Sequence, residues 1–264
     1  MNWQEVLDDA EVAFREGDFE RALSLCDRAH NAGPEAQYFS TLLQGDVLLD
    51  SGDPEAALEC YESLADPEVE DPTVDCARGI ALFELIRFDQ ADEALDAALQ
   101  KDPENPDAHH VRGLIAELRG QDPSSHFASA AQLDPERFDF KTIGQEEFQA
   151  IVDESIDQLP APVRDAIKGI PVLIAELPHI DDLRSAEPPL SPSSLGMFVG
   201  VPPGQTSWLD APSEPPKILL FKRNLERAFS DRATLLEEIQ NTVIHEVGHA
   251  LGLDEEELLE RGLE

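Results

Sequence analysis

The run His245-Glu246-Val247-Gly248-His249 puts two imidazoles and a carboxylate at a spacing that can do chemistry. Residues four apart on a helix lie one turn above each other, so both rings can reach one cation. Glu246 then projects beside the open position of that cation, where a carboxylate can take a proton from bound water. Zinc held by three protein ligands keeps one position for such a water and lowers its pKa towards neutrality. The implied reaction is attack of an activated water on a carbonyl. A third ligand must come from the short stretch between His249 and Glu264 or from upstream. Gly252 can end the helix in a left-handed cap and turn the chain back. Beyond it stand Asp254 and Glu255, either of which can supply the oxygen.

These side chains need a rigid carrier. The pair Ser230-Asp231 reads as an N-cap, and from Arg232 to Leu251 the pattern is helical, with Leu235, Ile239, Val243, Val247 and Leu251 on one face. Upstream, residues 145–158 predict another helix whose stripe is Phe148, Ile151, Val152, Ile156 and Leu159. Short apolar runs at Val172-Leu173-Ile174, Met197-Phe198-Val199 and Ile218-Leu219-Leu220-Phe221 predict strands. Prolines from Pro188 to Pro216, Pro203 and Pro212 among them, punctuate the loops between. The expectation is a small α+β domain with long loops.

The first half has a different rhythm. Ala10, Gly45, Gly79 and Gly113 recur about 34 residues apart, followed at a fixed offset by Ala22, Ala57, Ala91 and Ser125. Gly17, Gly52 and Gly120 mark the turns, and Ile86 stands at the corresponding place in the third unit. The fourth unit reaches Asp134-Pro135 early. Small residues at two fixed points let paired helices approach, so the pattern predicts repeated helical hairpins.

On these residues, together with Asp18, Phe19, Ala29, Pro34, Asp53, Phe88, Ala98, Asp102 and Pro103, the stretch 3–135 resembles the tetratricopeptide repeat family. The resemblance implies a superhelical array whose concave face binds a peptide or protein partner. His245, Glu246, His249 and Gly252, with the strand-forming runs before them, make residues 145–264 similar to the small zincin-like metallopeptidases, the mini-zincins. That family carries an Asp, its presumed third ligand, where this chain has Glu255; Asp254 is the alternative. The two resemblances imply a multidomain chain, with an all-α repeat domain over 1–135 and a zincin-like domain over 136–264. The implied function is zinc-dependent peptide hydrolysis, with Zn2+ on His245, His249 and Glu255 and with Glu246 as general base. By analogy, the strand 196–202 is the edge that pairs with a peptide substrate. His179 and Arg223 are candidates for oxyanion stabilisation by chemical type alone. The rival reading is a catalytically silent zincin fold in an adaptor protein.

Composition bounds the partners. With 56 acidic against 19 basic residues the chain carries a net charge of −37, which excludes phosphate-rich nucleic acid and anionic membrane surfaces as natural partners. The hydrophobic fraction of 41% is ample for a core, so the acidity belongs to a folded surface. The excess is heavier over 1–135, where a groove partner is expected to be basic or to bind through apolar anchors. The acidic start MNWQEVLDDAE is unlike a secretory leader, and no apolar run is long enough for a membrane span, so a cytoplasmic location is expected. Cys26, Cys60 and Cys76 lack metal spacing and read as small hydrophobes.

Overall fold

In the computed structural model the chain is described over residues 2–65, 71–140, 142–186, 189–202, 215–229 and 231–261. It divides into two compact units, Met1–Pro135 and Glu136–Glu264. Among the described residues the first unit forms helices alone, α1 Trp3–Arg15, α2 Phe19–His30, α3 Pro34–Asp50, α4 Pro54–Leu64, α5 Pro72–Glu84, α6 Phe88–Lys101, α7 Pro106–Leu118 and α8 Ser124–Leu133. Many starts are written by the same chemistry. The side chains of Asp18, Asp53, Asp71 and Asn105 each accept a backbone N–H of the first turn, and α3, α4, α5 and α7 open on proline.

The small positions are where one helix of a pair receives the other. A Cβ on Gly45 would lie 2.5 Å from the Tyr61 ring, one on Gly79 would lie 2.6 Å from Leu95, and one on Gly113 would lie 2.5 Å from the Phe127 ring. Ala22, Ala57 and Ala91 are fully buried, as the repeat requires. Ser125 corrects the expectation, because it is exposed. Phe127 occupies in the fourth unit the place of Tyr61 and Leu95, two residues earlier than the period prescribes. The α7–α8 turn is not shortened, since α7 ends at Leu118 and α8 starts only at Ser124, so the missing residues come from the first turn of α8, which leaves Ser125 off the packed face.

The second unit runs α9 Pro135–Phe138, α10 Gln145–Gln158, α11 Ala161–Ala166, β1 Val172–Ala175, α12 Ile180–Ser185, β2 Gly196–Val199, β3 Lys217–Phe221, α13 Lys222–Ala228, α14 Arg232–Ala250 and α15 Glu255–Arg261. The strands form one sheet in the order β1-β3-β2. β1 runs parallel to β3 with Val172 opposite Ile218, and β2 runs antiparallel with Gly196 opposite Leu220. Ile218 and Leu220, alternate residues of β3, are fully buried and join Phe148 and Val152 of α10 with Leu235, Ile239, Val243 and Val247 of α14 in one core. Leu251 departs from the expected stripe and is exposed, since it caps α14 instead of continuing it.

β2 is an edge strand among the described residues, but it ends at Val199 and does not extend to 202. Gly200 turns out of the strand with φ +113°, and Pro202 has no N–H to offer a ladder. Asp231 is the N-cap of α14, accepting from Thr234 N–H at 2.9 Å. Its expected companion Ser230 lies outside the described residues, as do Pro188, Pro203 and Pro212 of the proline-rich loops. The three cysteines carry free thiols.

Candidate metal centre

α14 holds both imidazoles on one side of its last turns. His245 Nε2 and His249 Nε2 face each other at 3.0 Å, with the rings nearly perpendicular. A carboxylate closes the triangle, since Glu255 Oε1 lies 3.2 Å from His249 Nε2 and Oε2 lies 3.8 Å from His245 Nε2. Among the described residues this is the one group of three or more potential ligands whose donor atoms converge. Ligands about 2.0–2.1 Å from a tetrahedral ion stand about 3.3 Å from one another. The three observed separations bracket that value, so the donor set fits a zinc-sized cation.

Local backbone geometry brings Glu255 here. Gly252 adopts φ +87°, Gly252 N–H donates to His249 O at 2.9 Å and Leu253 N–H to Gly248 O at 3.1 Å. Together they form a Schellman cap that reverses the chain. The reversal also sets Leu253 O 3.0 Å from His249 Nδ1. A proton on Nδ1 satisfies that carbonyl and leaves Nε2 with a lone pair turned to the cluster. Asp254 is engaged elsewhere. It accepts Glu257 N–H at 2.9 Å while Glu257 Oε2 accepts Asp254 N–H at 3.2 Å, a reciprocal capping box that starts α15. The carboxylate grouped with the imidazoles is therefore that of Glu255, with Asp254 serving as the cap.

Glu246, the neighbour of His245 on α14, points towards β2. Its carboxylate accepts the backbone N–H of Phe198, and Gly196 allows the close approach, because a Cβ there would sit 2.9 Å from Glu246 Oε1. Burial, with the nearby Glu255 charge adding, pushes its pKa up to about 8. Its buried Oε2 has no hydrogen-bond partner among the described residues. An orphaned carboxylate oxygen beside converging ligands is what a proton acceptor for a cation-bound water would look like. Of the oxyanion candidates, Arg223 pairs with Glu176 at 3.0 Å, and His179 is an exposed residue at the start of α12.

Residues 167–263 match the family model described as zincin-like metallopeptidase, and residues 76–136 match one described as tetratricopeptide repeat. The chain joins tetratricopeptide repeats to a zincin-like domain. A solved structure described as "Crystal structure of MamA" aligns at 18% identity and TM-score 0.41, over 59% of this chain and 86% of that chain. No curated protein matches the chain.

Sequence reasoning picked out His245, His249 and Glu255, whose donor atoms converge, but not the groups packed around them. Gly248, Leu258, Gly196 and the Leu253 carbonyl were missed. One signal was available: a glycine inside a strongly periodic helix costs about 1 kcal/mol against alanine, which points to a packing reason.

Proposed function

We propose that the zincin-like domain is a zinc-dependent peptidase and that the repeats dock a protein or peptide partner. In this reading His245, His249 and Glu255 hold the ion. The observation that carries it is the convergence of the two Nε2 atoms and the Glu255 carboxylate at 3.0, 3.2 and 3.8 Å. When bound, zinc supplies a water of lowered pKa and polarises the scissile carbonyl. Glu246 accepts the proton from the attacking water and returns it to the leaving amine. Phe198 N–H holds the Glu246 carboxylate in place. The outer edge of β2 offers backbone groups to an extended peptide.

The test is direct. Protein purified without chelator should carry about one zinc per chain, lost in His249→Ala and retained in Glu246→Gln. Peptide hydrolysis should fall by at least about 100-fold in Glu246→Gln. Equal zinc in wild type and His249→Ala removes the ligand assignment, and hydrolysis undiminished in Glu246→Gln removes the base. One observation favours a second reading, a metal-binding but catalytically silent adaptor. Both tyrosines, Tyr38 and Tyr61, belong to the repeats, so the zincin-like domain has no phenol to stabilise an oxyanion. Zinc-loaded protein without peptidase activity selects that reading.

A further inference from the structure

The third ligand arrives on α15, a helix of seven residues. Glu255 is 77% exposed in its side chain and Leu259 is 58% exposed, whereas Leu258 is fully buried. Leu258 meets α14 at Gly248. A Cβ on Gly248 would lie 2.3 Å from Leu258 Cδ2, and the next side chain it would meet besides is Leu253, at 3.8 Å. Gly248 thus opens a notch in the α14 surface, one residue before His249, and Leu258 fills it.

The notch bears on the ligand through helix geometry. Leu258 and Glu255 are three apart on α15, so they share a face one turn apart. The capping box between Asp254 and Glu257 fixes where α15 begins and keeps Glu255 in its first turn. With the start set by the cap and the rotation set by the buried leucine, Glu255 stands where its carboxylate reaches the Nε2 atoms.

We propose that Gly248 and Leu258 are positioning residues for the metal centre: the leucine in the glycine notch docks α15 and so delivers Glu255 to the ion. The inference rests on the reading of His245, His249 and Glu255 as a zinc site. Neither residue touches the ion. Gly248, although it lies within the motif, acts by its missing side chain.

The experiment is a zinc titration of the full chain, using zinc chloride against a chromophoric chelator, with amide exchange of the metal-free protein in parallel. Leu258→Ala should weaken zinc binding by roughly 10–100-fold, as loss of an outer support does, and Leu258→Met should restore most of it. The Glu255→Ala, Leu258→Ala double variant should bind no more weakly than Glu255→Ala alone, because the leucine acts only through the glutamate. Gly248→Ala, which narrows the notch from the other side, should weaken binding in the same way. Without metal, the Leu258→Ala amides of α15 should exchange faster while those of Leu235–Val243 are unchanged. Wild-type affinity in Leu258→Ala, or additive losses in the double variant, overturns the proposal. Core amides loosened equally in Leu258→Ala and Gly248→Ala overturn it too, since that marks general destabilisation. A wild-type chain that takes up no zinc defeats the underlying reading as well, and that result is distinct from zinc bound equally by wild type and Leu258→Ala.

Discussion

At the residue scale, the centre assigns different work to carboxylates of similar chemistry. Asp254 caps a helix, Glu255 stands with the imidazoles, and Glu246 is buried against β2. Environment makes the difference, and it has a measurable consequence for Glu246. Its folded pKa of about 8 lies above the ordinary 4.5, so the folded metal-free state binds a proton that the unfolded chain has released between those values. Stability is full below pH about 4.5, falls as pH rises, and is lowest above about 8. Glu246→Gln cannot ionise. In metal-free protein it should melt several degrees above wild type at pH about 9 and at the same temperature at pH about 4. An unchanged difference across that range in a thermal melt would show that the Glu246 charge carries no such cost.

At the element scale, the repeats depend on absent side chains as much as on present ones. Tyr61 is fully buried against Gly45, with its hydroxyl donating to Asp46 Oδ1 at 2.8 Å. Gly45→Ala forces the ring out of that seat and should destabilise the helical unit by about 1–3 kcal/mol in a denaturant titration. The first unit suggests the compensation, since Ala10 is followed at the same offset by Cys26, and both are buried. Gly45→Ala with Tyr61→Cys should therefore recover part of the loss; a double variant worse than Gly45→Ala would count against this packing account. The turn of the third unit shows how far the pattern can be strained. Ile86 takes φ +57° where Gly17, Gly52 and Gly120 stand in the other units. A left-handed β-branched residue costs roughly 1–2 kcal/mol, and burial of its side chain, 7% exposed, offsets that cost.

At the scale of the whole molecule, the net charge of −37 is spread over two separately packed units. The few cations of the repeats are committed: Arg112 of α7 and Arg119, its C-cap, pair with Asp92, and Lys101 holds Asp75 at 2.6 Å. What remains is uncompensated acid. Raising potassium chloride from about 0.05 M to 1 M, where the screening length shrinks to about 3 Å, should raise the melting midpoint. A lower midpoint would mean that the ion pairs outweigh the repulsion. Among the described residues no helix is long and apolar enough to cross a membrane. The sequence alone determined the repeat period, the paired helices, the three strands and the His245-Glu246-His249 face, because each is written in spacing along a local helix or strand. Only the tertiary structure decided which tail carboxylate meets the imidazoles, where the fourth repeat lost its residues, and why Gly248 is glycine. Those depend on how α15 folds back on α14, how α8 seats on α7 and how β2 closes on Glu246. Contacts between elements leave no period in the chain that makes them.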